Sequence, residues 1–320
     1  MTTGTSGRGL DNGAYVRPLG SADDGDYAVA VTPSATNPVP GWEHTRLRVA
    51  TTAPGGHVEH VSGDEETLVV PLVGSFRVQV TEAGGATHDV TLTGRASVFD
   101  GPSDVVYAGR GSRVRVTHLG SDAGRVALCG APAHKSDAPK PFRHLTASEV
   151  PVELRGAGLA SREVRNMGLP DVLDADSFLV CEVITPAGNW SSWPPHKHDE
   201  ERPGEETALE EIYYFEVAPS AGTPAAAATD PIGYQRVYGT EHRPIDVLAE
   251  VRDGDVVLVP HGWHGPAIAA PGYDMYYLNV MAGPGEQRAW LICDDPAHGW
   301  VRDTWTDQQV DPRLPLGGAR

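Results

Sequence analysis

Along this chain apolar and polar residues alternate more often than they recur at helical spacing. The runs at 67–80, 113–119, 178–185, 211–217, 255–259 and 273–281 place successive side chains on opposite faces, the pattern of short strands. Clusters of Gly, Pro, Asp and Asn separate the runs, and 37 glycines and 27 prolines supply the turns such an arrangement needs. An all-β barrel or sandwich is the expected fold class. The pattern occurs twice. ETLVVPLVGSFRVQV followed by ASVFDGP in the first half matches LEEIYYFEV followed by DGDVVLVPHGWHGP in the second. A polar segment with two prolines, 133–141, reads as a linker, which gives two tandem barrels at 1–140 and 141–320. Residues 1–9 read as a flexible tail and 220–230 as a low-complexity loop.

Composition narrows the partners. A formal net charge of −18 without a basic run argues against nucleic acid and against an anionic membrane surface. No apolar stretch approaches the roughly 20 residues of a membrane helix, and the N-terminus has no apolar signal core. Cys129, Cys181 and Cys293 are widely spaced, so reduced thiols in a cytoplasmic protein are expected rather than a disulfide framework. No apolar stripe demands a homo-oligomer, although barrel edges offer places for one.

The chemistry concentrates in the second half. In WPPHKHD, His196 and His198 are two residues apart and share a face of an extended strand, which suits two ligands of one ion. Glu210 and Glu211 open a following strand; regular alternation turns Glu211 inward with Tyr213 and Phe215, and a bulge would turn Glu210 inward instead. His264 follows Pro260 on a glycine turn, with His261 as its competitor. Imidazole and carboxylate donors together suit zinc, manganese, iron, cobalt or nickel. The first half has His57, His60, Glu65 and Glu66 but no HxH pair, and no histidine follows Pro102 at the position where the second-half pattern has one, so a metal-free barrel is expected there.

Two histidines, an acid, then a histidine after a GD-hydrophobic-P strand is the metal signature of a cupin barrel. The segments PPHKHD, LEEIYYFEV, YQRVY, VVLVPHGWHGP and GYDMYYLNVMAGP, with WEHTRLRV and DEETLVVPLVGSFRV in the first half, resemble the 5-deoxyglucuronate isomerases of myo-inositol catabolism. That bicupin family is grouped with the 5-keto-4-deoxyuronate isomerases of pectin breakdown. The resemblance implies two jelly-roll cupin barrels and an aldose–ketose isomerase that turns 5-deoxy-D-glucuronate into 5-dehydro-2-deoxy-D-gluconate. It implies His196, His198, Glu211 and His264 as ligands of a divalent metal, with zinc as the ion. The insertion at 199–209, longer than in the relatives, keeps Glu210 open against Glu211.

An acidic sugar needs a cation. Arg236 is the expected carboxylate ligand, because a guanidinium holds a carboxylate through two parallel hydrogen bonds. Gln235 and Asn279 are expected on the sugar hydroxyls, and Glu211, Tyr213 and Tyr277 as proton-transfer groups. Lys197 should point away from its flanking histidines. Arg162 and Arg165, in SREVRN, either reach the site or pair acids between the barrels. A metal-dependent dioxygenase would use the same ligands, and a non-catalytic sugar-binding bicupin would be expected to have lost them.

Overall fold

The computed structural model describes residues 9–21, 25–33, 39, 41–224 and 229–317. Most of the N-terminal tail and residues 225–228 of the low-complexity loop lie outside them. The strands, in chain order, are β1 (Val16–Arg17), β2 (Val29–Val31), β3 (Arg46–Thr52), β4 (His57–Val61), β5 (Glu65–Thr81), β6 (Thr87–Arg95), β7 (Val105–Ala108), β8 (Arg113–His118), β9 (Gly124–Pro132), β10 (Arg143–Leu145) and β11 (Val152–Arg155). There follow β12 (Arg162–Asn166), β13 (Leu179–Thr185), β14 (Trp190–Ser191), β15 (His196–Lys197), β16 (Glu210–Pro219), β17 (Gly233–Tyr238), β18 (Asp246–Val251), β19 (Val256–Val259), β20 (Trp263–Ala269), β21 (Tyr273–Ala282) and β22 (Cys293–Asp294). Every alternating run of the sequence falls in one of these strands, extending past its end by at most one residue.

In the second half, a seven-stranded sheet of order β1-β19-β16-β21-β13-β12-β11 faces a six-stranded one built on β18-β17-β20-β15-β22. Apolar side chains of both sheets, among them Val183, Phe215, Val237 and Val257, fill the space between them. The first half closes on a single nine-stranded sheet, with β5 running through both of its walls. Pairing along β5 passes from β7 and β9 to β6 and β8 across an irregularity at Gly74 to Phe76. A third cluster lies between the halves and joins Leu68, Val70 and Tyr107 to Phe178, Ile212, Tyr214 and Leu278. Strands such as β16 are therefore buried on both faces: every residue of EEIYYFEV is enclosed, its three glutamates included.

Pairing does not follow a division at residue 140. The two residues of β1 pair with β19 in the second half, and β10 pairs with β7 in the first. Sequence composition marks a linker but carries no information on which sheet edge a two- or three-residue strand will join.

Two buried glutamates tie the halves together reciprocally. Glu66 accepts the backbone N–H groups of Asp176, Ser177 and Phe178 at 2.5, 2.6 and 2.8 Å, just ahead of β13. Glu210 accepts those of Glu43, His44 and Thr45 at 2.9, 2.5 and 2.5 Å, just ahead of β3. Between them, Glu182 on β13 holds Arg95 of the first half through two contacts, one of them 3.0 Å, and lies 3.6 Å from Arg165. Buried charges of this kind are tolerated only when partnered. In the first half Glu65 pairs with Arg46 and Arg48, and burial pushes the His60 imidazole down to about 4.

Candidate metal centre

His196 and His264 meet across β15 and β20 as directly paired residues, and His198 follows two positions after His196. The three imidazoles are buried, and their nearest donor atoms all lie within 4.8 Å of one another. Glu211 completes the group. Its Oε2 is 3.1 Å from His198 Nε2 and 3.2 Å from His264 Nε2. Donors around one four-coordinate ion with bonds of about 2.0–2.2 Å stand roughly 3.3 Å apart, so these separations fit a shared cation.

Supporting contacts aim the rings. His198 Nδ1 lies 3.2 Å from the Leu209 carbonyl and His264 Nδ1 lies 3.0 Å from that of Gly262. Donation from Nδ1–H leaves Nε2 as the ligand atom in each case. Gly262 has φ +92°, and an added Cβ would stand 2.8 Å from the Tyr238 carbonyl oxygen, so the turn that delivers His264 requires glycine. Burial, with the neighbouring His264 and His198, holds His196 well below the usual imidazole range, hence neutral with a free lone pair. Burial also opposes charge on His198, yet the Glu211 carboxylate outweighs it and raises that imidazole. His264 Nε2 has no well-directed hydrogen bond despite complete burial. A buried imidazole nitrogen left without a hydrogen bond beside a carboxylate is the donor set a divalent metal ion satisfies.

β16 sends the neighbouring glutamates to opposite faces. Glu211 faces the histidines, whereas Glu210 faces the first half and is consumed by residues 43–45. His261 is half-buried on the turn, its Nε2 3.4 Å from the Pro244 carbonyl, and is not among the clustered donors. The insertion does not disturb the site because it closes on itself. Lys197 points away from the histidines and binds Asp199 and Glu206 at 2.7 and 2.8 Å. Leu209 then returns to donate its N–H to the His198 carbonyl at 2.8 Å.

A cavity of about 240 Å³ opens on the metal group. Its wall includes Arg155, Arg162, Ser192, His196, Glu211, Tyr213, Tyr277, Asn279, Trp290 and Arg302. Ser192 adopts φ +47°, an uncommon backbone for a side-chain-bearing residue, and its Oγ stands 3.2 and 3.3 Å from the hydroxyls of Tyr213 and Tyr277. Burial lifts both phenols, Tyr213 well above its ordinary value and Tyr277 up to about 12, so both remain protonated donors at neutral pH. Asn279 donates to the Ile212 carbonyl at 3.3 Å and presents its amide to the same space.

Two expected substrate ligands fall elsewhere. Arg236 lies on the other face of β17, paired with Asp246 at 2.5 Å, and lines a separate cavity with Trp193, Tyr234 and Tyr238. The physical reason is alternation: Val237 packs inside the barrel, and Arg236 must therefore point out. Gln235 is fully buried with neither amide atom hydrogen-bonded, and it does not line the metal cavity. Nothing in the sequence pattern singles out Ser192, Arg155 or Arg302, and for Arg162 it leaves both the cavity and the inter-barrel position open. The spacing in SREVRN was the available signal, since Arg162 and Arg165 differ in parity along β12. Arg162 enters the cavity while Arg165 binds Glu163 at 2.7 Å between the halves.

The family model described as the KduI/IolB family matches residues 15–301. Among curated relatives, the 5-deoxy-glucuronate isomerase of Geobacillus kaustophilus is 40% identical over 288 residues, 90% of this chain and 95% of the relative. That of Bacillus subtilis strain 168 is 38% identical over 260 residues, 81% and 88% of the two chains. An IolB-like protein from Salmonella typhimurium LT2 superposes with a TM-score of 0.75 at 32% identity, covering 90% of this chain and 98% of that one. Oxalate decarboxylase of Lactobacillus farciminis superposes with a TM-score of 0.60 at 12% identity, covering 88% of each chain, a likeness of fold that identifies the architecture as a bicupin.

Proposed function

The chain belongs to the KduI/IolB family, and on that premise we propose that it is an aldose–ketose isomerase acting on 5-deoxy-D-glucuronate. The product is 5-dehydro-2-deoxy-D-gluconate, and the place of the reaction is myo-inositol catabolism in the cytoplasm. The carrying observation is the identity of 36–41% over most of the chain to curated 5-deoxy-glucuronate isomerases. Free, unpaired Cys129, Cys181 and Cys293 agree with a reducing compartment. No helix among the described residues is long and apolar enough to cross a membrane.

The donor set fits a divalent metal held by His196, His198, Glu211 and His264, for which zinc is the proposed ion. Bound there, it supplies Lewis acidity toward the two oxygens that exchange roles during isomerisation. The chain's own side chains do the rest. The C2–H bond breaks and a C1–H bond forms, while the hydroxyl proton passes from the C2 oxygen to the C1 oxygen. Glu211 is the proposed shuttle for the carbon-bound proton: burial opposes its charge, His198 and His264 outweigh that and keep it ionised, and its Oε1 has no hydrogen bond among the described residues. The Tyr213, Tyr277 and Ser192 hydroxyls form a donor cluster for the substrate oxygens, where charge develops. Asn279 orients a further hydroxyl. The first barrel is proposed as a scaffold, because its inter-barrel carboxylate, Glu66, holds the segment leading into β13.

The test is an NMR time course of the metal-loaded protein with 5-deoxy-D-glucuronate, with and without a chelator. Formation of the 2-deoxy-5-keto acid that stops on chelation is the expected result. No conversion by protein with bound metal would overturn the substrate assignment.

A further inference from the structure

Three arginines line the wall of the metal cavity, and they differ in what already occupies them. Arg155 is paired with Glu153 at 2.8 Å and lies 5.1 Å from the centre of the Trp290 ring. Arg302 is held by both oxygens of Asp294, one contact being 2.7 Å, and stacks 5.2 Å from Trp305. Arg162, directly opposite Arg155 on the neighbouring strand, has no such partner. It is 9% exposed, and no carboxylate stands within 4.0 Å of it among the described residues. Its sole hydrogen bond among the described residues runs from Nη1 to the Ala160 carbonyl at 3.2 Å, while its guanidinium lies 5.7 Å from the Trp305 ring.

That arrangement is costly for the free protein. Burial depresses the Arg162 guanidinium to about 10, and the charges of Arg155 and Arg302 act in the same direction. A buried cation is ordinarily matched by an anion. Here β12 carries both solutions side by side: Arg165 meets Glu163 and Glu182 between the barrels, whereas Arg162 faces open cavity. Arg162 and the metal-group residues His196 and Glu211 line the same cavity. A ligand bridging the wall would thus place one end at the metal group and an anionic end at Arg162.

We infer that Arg162 binds the carboxylate of the substrate and selects an acidic sugar over its neutral counterpart. This rests on the isomerase reading above, in which the aldehyde end of a uronate meets the metal group. The cavity's cationic wall also answers how a chain of net charge −18 admits an anion: local charge at the site outweighs the distant surface. Arg155 and Arg302 are pinned by their own acids, which leaves Arg162 as the cavity arginine without a carboxylate partner among the described residues.

The experiment compares full-length, metal-loaded wild type, Arg162→Ala and Arg162→Gln on two substrates, 5-deoxy-D-glucuronate and 5-deoxy-D-glucose, in which a hydroxymethyl group replaces the carboxylate. Metal content and melting temperature are read alongside. Losing a charge-assisted, bidentate contact should lower kcat/KM for the uronate on the order of 10²-fold, mainly through KM. Turnover of the neutral sugar should change by less than about 3-fold, so discrimination collapses. Arg162→Gln, which keeps most of the side chain's length, serves where the alanine variant fails to fold. Wild-type discrimination retained in a folded, metal-loaded variant overturns this inference alone, as does an equal loss on both substrates. Failure of the wild type to convert 5-deoxy-D-glucuronate overturns the isomerase reading and this inference together.

Discussion

Glu210 and Glu211 are adjacent, chemically identical and buried, yet their replacement should produce opposite defects. Glu210 receives the Thr45 N–H at 2.5 Å and the Thr45 hydroxyl at 3.0 Å on one oxygen, and Thr45 is completely buried. In Glu210→Ala these two donors lose their acceptor where water cannot readily replace it. At about 1–3 kcal/mol for each unsatisfied buried group, the cost is roughly 2–6 kcal/mol. With a shift of about 2 °C per kcal/mol for a chain of this size, Tm should fall by about 4–12 °C. Bound metal should stay at the wild-type ratio, because Glu210 faces away from the histidines. Glu211→Gln should do the reverse. Among the described residues its Oε2 is partnered by His198 and His264 alone, so the variant should lose metal and turnover while its melting curve in chelator stays within about 2 °C of the wild type. Scanning calorimetry with elemental analysis reads both quantities. Metal loss in Glu210→Ala, with metal retained in Glu211→Gln, would show that β16 presents the other face and would refute the site.

Three further outcomes follow from the same geometry. Tyr277→Phe removes one member of the Ser192 hydroxyl cluster and should lower kcat on the order of 10²-fold at unchanged metal content; an unaltered kcat would remove that hydroxyl from the reaction. Arg236→Ala should leave KM for the uronate at the wild-type value, because Arg236 is paired with Asp246 beside a different cavity; a raised KM would return it to the substrate site. Burial, opposed by Arg125 and reinforced by Asp253, lifts the Glu216 carboxyl from 4.5 to about 7. Its proton is thus held by the folded state between those values and released by the unfolded one, so the stabilisation is complete below about 4.5 and lost as pH rises through 7. Relative to Glu216→Gln, the wild type should lose roughly 3 kcal/mol of unfolding free energy across that window, and parallel pH profiles for the two proteins would contradict it.

What the sequence by itself determined was whatever depends on local periodicity. Alternation located the strands, put His196 and His198 on one face, turned Lys197 away, and placed Glu211 rather than Glu210 with Tyr213 and Phe215, because side-chain direction repeats every two residues in a regular strand. Tertiary structure decided everything that depends on which face is enclosed and by what. Both faces of β16 are buried, so periodicity could say that Glu210 and Glu211 diverge but not that one would meet histidines and the other the backbone of residues 43–45. In GYQRVY the polar Gln235 and Arg236 are adjacent, so they diverge, and the run itself does not say which of them faces inward. Only the packing of Val237 against the barrel interior turns Arg236 outward. Arg162 was equally indistinct from Arg165 until the fold gave Arg165 two acids and left Arg162 facing the cavity without one. The same limit explains β1 and β10, whose two and three residues carry no sequence preference for the barrel each completes. Partner identity is a long-range property, fixed only when segments distant along the chain compete for the same edge, face or charge.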